Sequence, residues 1–299
     1  MFGVQREVLQ FNYQRNGHTQ SAPIELYCPS GSLVEGVEMP MAVLGLGNEG
    51  LYARRFTRLL SELGMPGVSV VLHFPDKESI DQVCMGGLNF TASALNRRMG
   101  VAADTPMNTL SHSQGGGILL ASARETPQLV GKRHSVVAPV GLNSRALGSE
   151  GSERSHEFWR RYMFRNMSQP GMVTDLRHWR AGIGAAGRLL SDTLGSKVKN
   201  GYNLLSSKID YAIGNKLSDA SVEGIKHLAA FAHPLLIVGK NDPIFRVDEI
   251  SATLYENAGQ DPIELAVVSG AHEPLIGKKG YPQLVAAVAF MKLALPSAA

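Results

Sequence analysis

Cysteine is scarce: Cys28 and Cys84 are the only two in 299 residues. That excludes a disulfide-stapled scaffold, and their spacing suits no metal centre. Two buried, reduced thiols are expected, which suits a cytoplasmic protein. No stretch approaches the ~18 consecutive apolar residues of a membrane span. The leading Met-Phe-Gly-Val-Gln-Arg-Glu-Val also lacks the basic-then-apolar pattern of a secretory signal. Aromatic residues are only 7% of the chain, formal net charge is +3, and no Lys/Arg block is interleaved with aromatics. Nucleic acid is therefore not an expected partner.

What is present is a core-forming composition, 44% hydrophobic, enough for one large domain with an insertion. Residues 5–12 alternate as a half-buried strand does, Gly17 sits in a polar turn, and Ala22 to Cys28 reads as a second strand. Short apolar runs then follow at Met41–Leu46, Val68–Phe74, Met107–Leu110, Ser135–Val140, Leu235–Val238 and Leu265–Val268, as buried parallel strands require. Between them lie helix-spaced segments at Tyr52–Leu63, Phe90–Met99, Val247–Asn257 and Tyr281–Leu295. From Leu147 to His233 strand signals vanish and both tryptophans occur. The expected fold is α/β: a mostly parallel, doubly wound sheet with an N-terminal antiparallel hairpin and an inserted helical segment. Within that insertion Leu190, Leu194, Val198, Leu205, Ile209 and Ile213 mark one helical face, with Lys197, Lys199, Lys208 and Lys216 off it. Basic amphipathic helices can rest on membranes, but packing on the domain below is the commoner outcome.

The chain is organised around Pro106–Gly117. A short apolar run ends in Ser111-His112-Ser113-Gln114-Gly115, and a helix-like segment follows at once. Strand, tight turn, small residues and helix are the layout of a nucleophile elbow, in which a serine at the tip of the turn projects from the sheet. Small neighbours let strand and helix approach, and Gly115 and Gly116 supply them. The full pattern is Gly-x-Ser-x-Gly, and here Ser111 replaces the first glycine.

A serine hydroxyl needs a base, and imidazole has a pKa near working pH. Of nine histidines, His272 stands out. It follows the strand ending at Val268, in Ser269-Gly270-Ala271-His272-Glu273-Pro274. Asp242 sits likewise after Val238, in Gly239-Lys240-Asn241-Asp242-Pro243. The other histidines have plainer readings; His112, inside the elbow, is expected to be directed into the sheet. Ser113, Asp242 and His272 all fall at carboxyl ends of parallel strands, where open α/β sheets place their sites. Asp242 could instead cap the helix near Val247, with Asp248 or Glu249 as substitute acid.

Over nearly its whole length the chain resembles the α/β-hydrolase superfamily. The resemblance rests on the antiparallel start, the Ser-His-Ser-Gln-Gly elbow, the Gly-Lys-Asn-Asp-Pro loop, the Gly-Ala-His-Glu-Pro loop and the order Ser…Asp…His. It implies Ser113 as nucleophile, His272 as base then acid, Asp242 as orienting carboxylate, and residues 144–233 as a cap over a core of 1–143 and 234–299. It also implies an oxyanion hole from the N–H of Gln114 and of a residue in Leu44-Gly45-Leu46-Gly47-Asn48; aligning the glycine selects Leu46, with Gly47 next. The expected activity is hydrolysis of a small to moderate carboxylic ester, with no metal or organic cofactor. The same three residues also serve acyl transfer or C–C bond cleavage, and a silent ligand-binding module is the non-enzymatic alternative.

Overall fold

The computed structural model describes residues 3–30, 39–45, 50–73, 82–123, 125–126, 133–149, 151–161, 215–257, 263–272, 275 and 281–293. The chain opens with two long strands, β1 (Val4–Arg15) and β2 (His18–Pro29), paired antiparallel with Val4 opposite Pro29 and Arg15 opposite His18. Their link is the two-residue turn Asn16-Gly17, both at positive φ (50° and 78°), which matches the twist of a tight hairpin.

The parallel part follows: β3 (Met41–Val43), α1 (Leu51–Glu62), β4 (Val68–Leu72), a π-helical turn (Val83–Gly87) leading into α2 (Leu88–Arg98), β5 (Thr109–His112), α3 (Gln114–Ala123) and β6 (Arg133–Val137). Short helices α4 (Ser144–Leu147) and α5 (Gly151–Arg160) come next. The chain resumes with α6 (Asn215–Phe231), β7 (His233–Gly239), α7 (Val247–Asn257), β8 (Glu264–Val268) and α8 (Pro282–Lys292). The eight strands form one sheet in the order β1-β2-β4-β3-β5-β6-β7-β8. β2 meets β4 antiparallel, and every later pairing is parallel.

Burial explains why these segments are strands. β3, β4, β5 and β6 are buried at every residue, as strands covered on both faces must be. α1 turns Tyr52, Phe56, Leu59 and Leu60 inward and is tied to α8 by Arg55 on the Tyr281 hydroxyl (3.1 Å) and Lys292 on the Leu63 carbonyl (2.7 Å). α3 is buried along its whole length. It lies between the π-helical turn, where Ser122 reaches Met85 Sδ (3.2 Å), and α6, where Ser221 reaches the Gly117 carbonyl (3.4 Å). Cys28 and Cys84 are both buried and neither forms a disulfide. Burial, helped by the charge of Glu7, pushes the Cys28 thiol up to about 11, so it is protonated at neutral pH.

Of residues 144–233, where a cap is expected, the structure describes α4, α5 and α6. The helical face drawn from Leu190 to Ile213 lies outside the described residues. α6 packs on α3 so closely that a Cβ at Gly224 would lie 1.7 Å from the Leu120 carbonyl oxygen. Among the described residues no helix is long and apolar enough to cross a membrane.

Two stability predictions follow from this packing. Gly224→Ala forces α6 off α3, and overpacking of this kind costs ~1–3 kcal/mol or more; thermal denaturation should show a clearly lowered Tm, and an unchanged Tm contradicts the packing. Ser111 is fully buried, and its Oγ has no hydrogen-bond partner among the described residues. Ser111→Ala therefore removes an uncompensated buried hydroxyl and should leave Tm unchanged or raise it; a drop of several degrees would show that the hydroxyl is satisfied in solution.

Candidate active site

Ser113 follows β5 directly and holds a left-handed conformation (φ 54°), costly for a non-glycine residue and retained only where the surroundings enforce it. Here they do. The Ser113 N–H donates to the Val137 carbonyl (3.0 Å), and its own carbonyl accepts from Val140 N–H (3.1 Å) and Gly116 N–H (3.0 Å). Sequence dictates the rest of the turn. A Cβ at Gly115 would lie 2.3 Å from the Val43 carbonyl oxygen, so only glycine lets α3 start against β3. The side chain at 113 is thereby turned out of the sheet and remains partly accessible.

The Asp242 and His272 loops are laced together beyond the last ladder pair of β7 and β8. Lys240 N–H donates to the Val268 carbonyl (2.7 Å) and Asn241 N–H to the Gly270 carbonyl (2.9 Å). Asp242 is 4% exposed. Its Oδ1 accepts from the N–H groups of Ile244 (2.8 Å) and Phe245 (2.9 Å), and its Oδ2 lies 3.1 Å from His272 Nδ1. One carboxylate thus holds the turn through Ile244 and Phe245, ahead of α7 rather than capping that helix, and meets the imidazole as well. Three hydrogen bonds compensate its burial.

His272, 2% exposed, places Nε2 3.1 Å from Ser113 Oγ. An ionised carboxylate can only accept, so Nδ1 carries the proton and the Nε2 lone pair faces the serine. Phe245 packs against this ring at 5.1 Å between centroids, and Phe158 of α5 packs on Phe245 at 6.3 Å. Residues 113, 242 and 272, far apart in sequence, therefore meet in one hydrogen-bonded line at the carboxyl edge of the parallel strands.

The rival acids are engaged elsewhere. Asp248 is exposed and pairs with Arg246 (2.7 Å). Glu249 pairs with buried Arg161 (2.7 Å), which also donates to the Ile244 carbonyl (3.2 Å) beside Asn143 (3.0 Å). That cluster braces the back of the Asp242 loop.

Gln114 begins α3, where leading N–H groups point out of the helix. A Cβ at Gly45 would sit 3.1 Å from Gln114 N and 3.0 Å from Ser113 Cβ, so the missing side chain there keeps space in front of both residues. Leu46 and Gly47 lie outside the described residues. Gly50 is anchored by residues that sequence reasoning missed. Gly50 N–H donates to the buried Tyr27 hydroxyl (3.0 Å), which in turn donates to Glu25, itself paired with Arg6 (2.5 Å) and His73 (3.2 Å). Burial, then the bond to Glu25, pushes the Tyr27 hydroxyl up to about 12. Burial alone works to raise Glu25, but the Arg6 and Tyr27 hydrogen bonds bring it below its ordinary value. The only signal in the sequence was a polar Glu and a Tyr two apart in the otherwise apolar run from Ala22 to Cys28. Among the described residues no group of three His, Cys, Asp or Glu side chains is arranged to hold a metal ion.

No protein-family model matches the sequence, and no curated protein matches it significantly. Solved structures do match. Carboxyl esterase 2 from the mycorrhizal fungus Tuber melanosporum aligns with a TM-score of 0.52 at 14% identity, over 96% of this chain and 82% of its own. An esterase of Pyrobaculum calidifontis gives 0.52 at 17% identity, over 96% and 86%. A mutant of esterase rPPE complexed with (S)-Ac-CPA gives 0.52 at 17%, over 97% and 84%. Identities this low speak to architecture alone, and with the strand order and antiparallel entry described above they establish that this chain has the α/β-hydrolase fold.

Proposed function

We propose that the protein is a serine hydrolase that cleaves a carboxylic ester through an acyl-enzyme. The observation that carries the proposal is the line Ser113 Oγ, His272 Nε2 and Nδ1, Asp242 Oδ2, with both contacts at 3.1 Å and the serine in a strained turn. The esterases of the same fold support the substrate class.

In this mechanism Ser113 Oγ attacks the ester carbonyl carbon while its proton passes to His272 Nε2. Asp242 holds the ring orientation and stabilises the imidazolium. The carbonyl oxygen becomes an oxyanion, received by the N–H of Gln114 and of Leu46; a donor of this kind is worth ~3–4 kcal/mol in the transition state. Collapse breaks the bond to the leaving alkoxide, which takes the proton from His272 and departs as the alcohol. Water then attacks the acyl-enzyme, giving its proton to His272. The second collapse releases the acid and returns that proton to Ser113.

The end of α5 is fastened to the Asp242 loop through the next residue, Arg161. A cap formed from residues 144–233 would rise beside the site and shape the acyl pocket. Two reduced, buried thiols fit a cytoplasmic location.

Wild-type protein should turn over p-nitrophenyl acetate or butyrate and be labelled by a fluorophosphonate at Ser113. Ser113→Ala should lose both while keeping its circular dichroism and Tm. Removing a serine or histidine of such a set typically costs ~10⁶-fold in kcat. Undiminished turnover in the alanine variant, or an unlabelled wild type, defeats the proposal.

A further inference from the structure

His112, expected from sequence only to point into the sheet, contacts the loop that carries His272. We infer that it is a positioning residue for the proposed base, so the inference rests on the hydrolase reading above. His112 is fully buried at the end of β5, and its Nε2 lies 3.1 Å from the backbone carbonyl oxygen of His272. A carbonyl oxygen only accepts, so His112 Nε2 is the donor and carries a proton. The ring is held on both sides, stacked on Tyr52 of α1 at 6.4 Å and 19°, and 5.1 Å from the His272 ring at a 39° tilt.

His112 and Ser113 are consecutive, so the end of β5 grips residue 272 at two points. Ser113 Oγ meets its Nε2, and His112 Nε2–H meets its carbonyl. The neighbouring Ala271 carbonyl is held independently by Gln283 Nε2 (2.8 Å). A side-chain hydrogen bond to Asp242 fixes how the imidazole is turned; it does not by itself fix how far the backbone stands from the elbow. The carbonyl tether does, because one end is on His272 and the other on His112, covalently next to Ser113. The bond involves no atom of the substrate and no proton in transit, so its loss acts through misplacement of Nε2. Misplacement of about 1 Å can cost ~10²-fold in rate.

The test compares His112→Phe, which keeps an aromatic of similar size without a donor, with His112→Gln, whose amide nitrogen stands the same number of bonds from Cβ as Nε2 and can donate. On p-nitrophenyl butyrate, His112→Phe should lose about tenfold to a hundredfold in kcat with KM little changed, and the rate of fluorophosphonate labelling at Ser113 should fall in parallel. His112→Gln should recover most of both. Tm measured for both variants shows whether either is unfolded at the assay temperature; if the phenylalanine variant is, the glutamine variant against wild type decides, with near-wild-type kcat expected. Unchanged kcat in a folded phenylalanine variant, a glutamine variant as poor as phenylalanine, or a change confined to KM overturns the positioning role. A wild type that neither turns over nor is labelled removes the hydrolase reading and this role with it, and so is distinguishable from failure of the tether alone.

Discussion

The hydrogen bond between His272 Nδ1 and Asp242 Oδ2 (3.1 Å) is the interaction on which the account depends. It decides the tautomer of the imidazole, and the tautomer decides whether Nε2 offers a lone pair or a proton to Ser113. Everything around it serves to keep a carboxylate and an imidazole buried together. The Ile244 and Phe245 amides satisfy the second oxygen of Asp242, and Phe245 shields the ring. Electrostatic interactions in so dry a place are stronger than in water, which the proposed mechanism requires.

The fold supplies that arrangement through ordinary sheet geometry. Parallel strands send every carboxyl end to one edge, so three loops separated by many residues open onto the same strip. The backbone bonds from Lys240 and Asn241 continue the β7–β8 association into the loops, so Asp242 and His272 are carried on one unit. The serine is carried on another, the β5–α3 turn, whose strain is held by β6 through Val137 and by the following turn through Val140. The proposed His112 tether joins these two units. Tyr27 and Glu25 do comparable work elsewhere, tying down Gly50 at the start of α1.

Much of this was legible in the sequence because the signals were local. Gly17 in its polar turn marked the hairpin, and apolar runs marked β4, β6, β7 and β8, although β8, at the sheet edge, is not buried as the run suggested but half-buried to exposed. The glycines after Ser113 marked the close approach of α3 to β3. Boundaries that depend on tertiary contact were less legible. The apolar run from Met41 promised a strand to Leu46, yet β3 ends at Val43, where Gly45 must pass against the elbow. β5 begins at Thr109 rather than Met107, because its register is set by Met41 opposite Thr109 and not by hydrophobicity. The π-helical turn before α2 gave no pattern at all: Gly86 is there because a Cβ would lie 2.6 Å from the Phe11 ring of β1, a contact between residues far apart in the chain. Tyr27, and the contact that His112 makes with residue 272, escaped notice for the same reason, since the partners are remote in sequence.

The most direct measurement is a crystal structure of the protein after reaction with a fluorophosphonate. The account predicts phosphorus bonded to Ser113 Oγ, a phosphonyl oxygen against the Gln114 N–H, and the His272 ring still bridging toward Asp242. An adduct on another residue, or an imidazole at 272 turned away from both Ser113 and Asp242, would contradict it.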